Sequence, residues 1–215
     1  AEPSSHFYDP PYGSPETPEA ASLALQYSFF HWGLHPWAIY TMVAMCLAYF
    51  QFRKQEPGLI SASCRPLLKN RAQGLAGQTI DIIAVFATVF GVATSLGFGA
   101  MQISGGLSYL FSIPNSVITQ LILIMIVTVL YMVSAQTGLQ RGIKYLSNLN
   151  MVLAISLMAF LLFLGPTKFI MEVFTSALGE YLHNLPKMSL YLAPFDDSRW
   201  IQNWTLFYWA WWIAW

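Results

Sequence analysis

Residues 82–140 read IIAVFATVFGVATSLGFGAMQISGGLSYLFSIPNSVITQLILIMIVTVLYMVSAQTGLQ, a run of 59 without an Asp, Glu, Lys or Arg. A helix crosses the roughly 30 Å hydrocarbon core of a bilayer with about 20 apolar residues. The run is therefore long enough for two crossings. Ile113-Pro114-Asn115-Ser116 divides it, because Pro and Asn favour a turn over continued helix. Spans are predicted over 78–109 and 117–136. To either side, Ala20–Phe52 and Tyr145–Thr167 are also free of these charges. They predict spans over 23–50 and 149–166. Residues 200–215 are apolar to the last position. As a helix they would be about 24 Å long, and they read as a span cut within the membrane. With Ala1 in place of an initiator Met, the sequence reads as an internal fragment of a larger protein.

Composition agrees. Of 215 residues, 56% are hydrophobic and only 9% charged, against about 25% charged in an ordinary soluble domain. So little charge cannot coat a folded ball of this size, and the mean hydropathy is +0.50. A soluble enzyme domain and a disordered tail are excluded. Ten basic residues balance ten acidic ones, so no nucleic acid or other polyanion is indicated as a partner. Cys46 and Cys64 make no disulfide framework. An all-α, multi-pass membrane protein remains.

The loops orient it. Arg53, Lys54, Arg65, Lys69 and Arg71 face one acid, Glu56, between the first two spans. Short basic loops stay in the cytoplasm. Asp81 then sits at the inner end of its span, beside Arg71 or Arg141. The segment 1–20 carries Glu2, Asp9, Glu16 and Glu19 with no Lys or Arg, and is predicted to be an outer loop. Residues 139–148 place Arg141 and Lys144 opposite Leu139, Ile143 and Leu146, the pattern of an inner surface helix. Residues 169–185 mix Glu172, Glu180 and His183 with apolar positions and predict an outer surface helix.

Two segments could carry chemistry. In the first span, Trp37 and Tyr40 lie about 140° and 80° around an ideal helix from Trp32, so the three rings share a broad face. Pro36 can open the turn that holds them. In the last segment, Trp204, Tyr208, Trp211 and Trp215 form a stripe of period 3.6 flanked by Trp212. Tryptophan ordinarily sits at the membrane interface, and helix packing competes as an explanation for the deeper ones. The functional reading is an aromatic box for a cation that cannot donate hydrogen bonds, each face contributing about 0.5–2 kcal/mol. His31 and His35, one turn apart, offer a rival reading as metal or haem ligands of a membrane redox protein. The other spans supply no further ligand cluster, so no metal is expected. Thr88 could offer its hydroxyl to a small cation, although such hydroxyls more often bond their own helix.

Several stretches together carry a family resemblance. Phe30-His31-Trp32-Gly33-Leu34-His35-Pro36-Trp37-Ala38-Ile39-Tyr40 resembles the signature of the betaine/choline/carnitine transporter family. So do Ala87-Thr88-Val89-Phe90-Gly91, Ser95-Leu96-Gly97, Lys144-Tyr145-Leu146-Ser147-Asn148 and Phe207-Tyr208-Trp209-Ala210-Trp211-Trp212. The motifs run in order along the whole chain. The resemblance implies the LeuT-like fold of two inverted five-helix repeats, with this chain supplying family helices four to seven and the start of eight. It implies a substrate box of Trp32, Trp37 and Tyr40 on one side and Trp212 on the other. Trp209, Trp211 and Trp215 would lie along the substrate pathway. It further implies a homotrimer in the cytoplasmic membrane, no enzymatic activity and no cofactor.

The expected function is secondary active uptake of a quaternary ammonium compatible solute, glycine betaine first. Choline taken up by proton symport and carnitine by exchange are the alternatives within the family, and an osmolyte sensor is another. Sodium is the favoured coupling ion, with protons as the alternative. One departure bears on this. Sodium-coupled betaine carriers can use two threonines one turn apart in the fifth helix; here the first is Thr88 but the second is Val92.

Overall fold

A computed structural model describes residues 2–136, 144–195 and 199–214. Among these residues the regular structure is helical, with no strand. Ten α-helices follow in chain order: α1 Glu2–Tyr8, α2 Pro18–Trp32, α3 Leu34–Ala48, α4 Ile60–Ser63, α5 Arg65–Leu68, α6 Leu75–Phe111, α7 Val117–Gln136, α8 Lys144–Leu164, α9 Thr167–Leu190 and α10 Phe207–Ala214. A π-helical turn, Gln202–Leu206, leads into α10. The chain divides into two compact units, Ala1–Val92 with Phe174–Trp215, and Ala93–Val173.

The first unit holds the buried core. Tyr27, Phe30, Tyr181, Met188 and Trp200 pack together, with Phe29, Leu178 and Trp204 against them. Each buried side chain of this size removes enough apolar surface to contribute about 1.5–3 kcal/mol. The helix α2 begins where its sequence directs. Thr17 caps it, its Oγ1 accepting from Ala20 N at 3.1 Å, and Pro18 takes the first helical position.

The span expected over 23–50 is not one helix. It breaks at Gly33, whose φ of −98° and ψ of −122° leave the helical region. A Cβ at Gly33 would lie 2.4 Å from the Phe29 carbonyl oxygen, so this close turn requires glycine. Pro36 falls in the first turn of α3, where its missing N–H costs little. The break therefore precedes the proline by three residues.

A second difference lies at the start of the chain. Residues expected to form an outer loop include α1, and its Glu2 and His6 are buried. In the basic segment, Asp81 is tied to the short helix α4. Its carboxylate accepts from Ser61 N at 2.9 Å and Ser61 Oγ at 2.6 Å; Arg141 lies outside the described residues. Glu56 pairs with Arg65.

The second unit contains the end of α6, then α7, α8 and the start of α9. The turn between α6 and α7 falls at residues 112–116, as the Pro-Asn signal predicts. Asn115 Oδ1 accepts from Ser104 Oγ at 2.8 Å and from Gln120 Nε2 at 3.2 Å, tying both flanking helices to the turn. The surface helix expected over 139–148 falls partly outside the described residues. Residues 144–148 continue directly into α8. The helix expected over 169–185 forms as the longer α9, which continues through Pro186.

The helices α6, α7 and α8 are each long and apolar enough to cross a membrane. They expose Ile82, Phe86, Leu121, Met125, Leu157 and Phe163. Water does not tolerate so continuous an apolar surface, and this is a membrane protein.

Candidate functional site: an aromatic box beside a buried carboxylate

The break at Gly33 separates α3 from α2 and leaves backbone donors at the start of α3. The Leu34 N–H donates to the Tyr181 hydroxyl of α9 at 3.2 Å. Burial pushes the Tyr181 phenol above its ordinary value, against the lowering effect of that bond, so it stays neutral. Further bonds fasten α9 to α2. Gln26 Nε2 donates to Glu180 at 2.6 Å, Ser22 Oγ donates to the same carboxylate, and Asn184 Nδ2 donates to Gln26 Oε1 at 3.0 Å.

On the other side of the break lie the rings. Trp32, the last residue of α2, meets Trp212 of α10 edge to face, with centroids 4.8 Å apart and planes at 71°. Tyr40 of α3 meets Trp212 at 6.2 Å and 81°. Trp37 meets Tyr40 at 6.2 Å and 88°. The four residues expected to form the box are thus linked ring to ring. Trp212 is buried, whereas Trp32 and Trp37 are 49% and 65% exposed.

The remaining aromatic residues divide. Trp211 stacks on Trp212 at 4.9 Å and 12°, and meets Trp32 at 6.0 Å. It extends the box. Trp209 points elsewhere, stacked on His35 at 5.8 Å and 13° and against Phe30. Trp215 lies outside the described residues. Tyr208 adds a ring that the sequence reading left out of the box. It meets Trp32 at 5.7 Å and stacks on His31 at 4.6 Å and on Trp212 at 5.7 Å. Its place in the period-3.6 stripe was the available signal.

Behind Trp32 lies a group that the sequence reading also missed, because it placed Glu2 in an outer loop. Glu2 Oε1 accepts from His31 Nδ1 at 2.6 Å and from His6 Nε2 at 3.0 Å. Glu2 Oε2 accepts from Trp32 Nε1. A carboxylate that receives three N–H donors is held in its charged form. The His31 Nδ1 bond to a carboxylate requires a proton on that nitrogen, and its Nε2 lies 3.0 Å from Thr205 Oγ1. Thr205 comes from the π turn before α10. The carbonyl of His31 accepts from Trp212 Nε1 at 2.8 Å. One histidine therefore connects α1, α2 and the α10 segment. The i, i+4 spacing of Glu2 and His6 was the only trace of this cluster in the sequence.

The histidines do not act as the pair expected of a redox site. His31 bonds Glu2 and Thr205, whereas His35 Nε2 bonds Ser189 at 3.0 Å. Among the described residues, Glu2, His6 and His31 are the one group whose ligand atoms converge, all within 4.8 Å. To hold a metal they would have to give up the N–H protons that now bind the carboxylate. Thr88 Oγ1 donates to the Ala84 carbonyl of its own helix at 2.9 Å.

Comparison with known proteins places the chain in a family. The family model described as "BCCT, betaine/carnitine/choline family transporter" matches residues 1–215. The glycine betaine transporter OpuD of Bacillus subtilis is 59% identical over the whole chain, which covers 43% of that protein. An ectoine/hydroxyectoine transporter of Virgibacillus pantothenticus is 44% identical, with 43% of it covered. The high-affinity choline transport protein of Escherichia coli K12 is 40% identical, with 32% covered. The chain thus spans less than half the length of these relatives. They are transporters, so the redox reading of His31 and His35 falls. With a match from its first residue to its last, the chain belongs to the betaine/carnitine/choline transporter family.

Proposed function

We propose that the full-length protein carrying this chain is a secondary active transporter for a quaternary ammonium compatible solute, glycine betaine first. The observation that carries this is the ring cluster of Trp32, Trp37, Tyr40 and Trp212. A trimethylammonium group has no N–H to donate, so hydrogen-bond acceptors cannot select it. Aromatic faces attract its spread positive charge and also bury its methyl groups. By the family resemblance, Trp209, Trp211 and Trp215 are proposed for the substrate pathway. The 59% identity to a glycine betaine transporter supports the choice of substrate.

We propose transport by alternating access in the cytoplasmic membrane, with two inverted five-helix repeats rocking around a central site in a homotrimer, as the family resemblance implies. Sodium is the proposed coupling ion. Thr88 gives its proton to Ala84, which leaves its oxygen lone pairs available to a cation. Val92, one turn on, offers none. Choline uptake with protons is the second reading, favoured by the 40% identity to a choline transport protein.

The deciding experiment is uptake of labelled glycine betaine by the full-length protein in cells lacking other osmolyte carriers. It is run with and without a sodium gradient, with choline and carnitine as competitors. Sodium-dependent betaine uptake is expected. Uptake that ignores sodium and is blocked mainly by choline moves the protein to the second reading.

A further inference from the structure

The box is built from segments that carry no formal charge. Residues 20–52 and 200–215 contain no Asp, Glu, Lys or Arg. Yet one carboxylate stands directly behind it, contributed by α1. Glu2 is 8% exposed, and its Oε2 accepts from the Trp32 indole N–H. A cation on the face of Trp32 would therefore lie within about one ring's width of a full negative charge. Glu2 is the one carboxylate among the groups that meet here: His6 and His31 each place one ring nitrogen on Oε1, and the Trp32 indole N–H takes Oε2.

We infer that Glu2 is a specificity-determining residue of the aromatic box, a fixed countercharge acting through Trp32 that favours ligands of net positive charge. This rests on the proposed function and deepens it. Rings alone read the trimethylammonium head, which choline and glycine betaine share. A carboxylate behind the rings reads the total charge. Choline carries +1 and gains the whole attraction. Glycine betaine carries its own carboxylate, whose repulsion by Glu2 offsets part of the gain. Buried charges interact strongly because little water screens them. The charge of Glu2 thus sets how far choline competes with glycine betaine.

The test is tryptophan-fluorescence binding of choline and of glycine betaine to the purified full-length protein, for the wild type, Glu2→Gln and Trp32→Phe. Glu2→Gln keeps the shape and removes the charge. It is expected to weaken choline about tenfold more than glycine betaine. Equal losses for both ligands would mean that Glu2 only props the rings, and would overturn the inference. Trp32→Phe keeps the ring and the Glu2 charge but removes the indole N–H. It is expected to weaken both ligands alike and preserve their ratio, and this holds as a test even if Glu2→Gln fails to fold. A collapse of the ratio in Trp32→Phe would overturn the inference too. A wild type that binds neither ligand sinks the proposed function instead, so the two failures are distinguishable.

Discussion

Trp212 is both a ring contact and a strut. Its ring faces Trp32 and Tyr40, and its N–H holds the His31 carbonyl at 2.8 Å. Truncation to alanine removes an aromatic face and a buried hydrogen bond together. Trp212→Ala is expected to weaken glycine betaine binding by at least about tenfold, and Trp37→Ala, which loses only a face, by a smaller factor. Isothermal titration of the full-length protein measures both. Unchanged affinity in the two variants would dismiss the box. The same scale shows what a sequence can reveal of a site. The rings were legible as residue types, and Trp37 and Tyr40 do lie about one turn apart on α3; Trp32 stands across the Gly33 break, so the ideal-helix angles do not apply to it and its place beside Trp212 comes from tertiary packing. Glu2 was not legible, because its burial comes from α1 packing on α2, a contact that no local pattern encodes. The partners of His31 were hidden for the same reason: Glu2 is 29 positions away and Thr205 is 174.

Helix boundaries follow a similar division. The turn at 112–116 was legible because Pro114 and Asn115 act locally. The break at Gly33 was not, since a glycine inside an apolar run is ordinarily compatible with helix. What fixes it is Tyr181 from a distant helix, whose hydroxyl receives the Leu34 N–H. Tyr181→Phe removes that acceptor and should lower stability by about 1 kcal/mol. Gly33→Ala should cost more, about 1–3 kcal/mol, because the added methyl would stand 2.4 Å from the Phe29 carbonyl oxygen. Melting temperatures in one detergent would rank the pair. A Gly33→Ala protein as stable as wild type would mean that the turn tolerates a side chain.

For the whole molecule, the apolar faces of α6, α7 and α8 decide the solvent. A polypeptide with three such helices should stay in the membrane pellet through alkaline carbonate extraction, as a spanning protein does. Release into the supernatant would contradict the assignment of these helices to the bilayer. The first unit carries a further property of its own. Trp211 and Trp212 stack with planes 12° apart and centroids 4.9 Å apart, and Tyr208 lies nearly parallel to both. Rings held this close and this rigidly share their electronic excitations. The stack is therefore an optical instrument, and near-ultraviolet circular dichroism would register any movement of these rings without an added label.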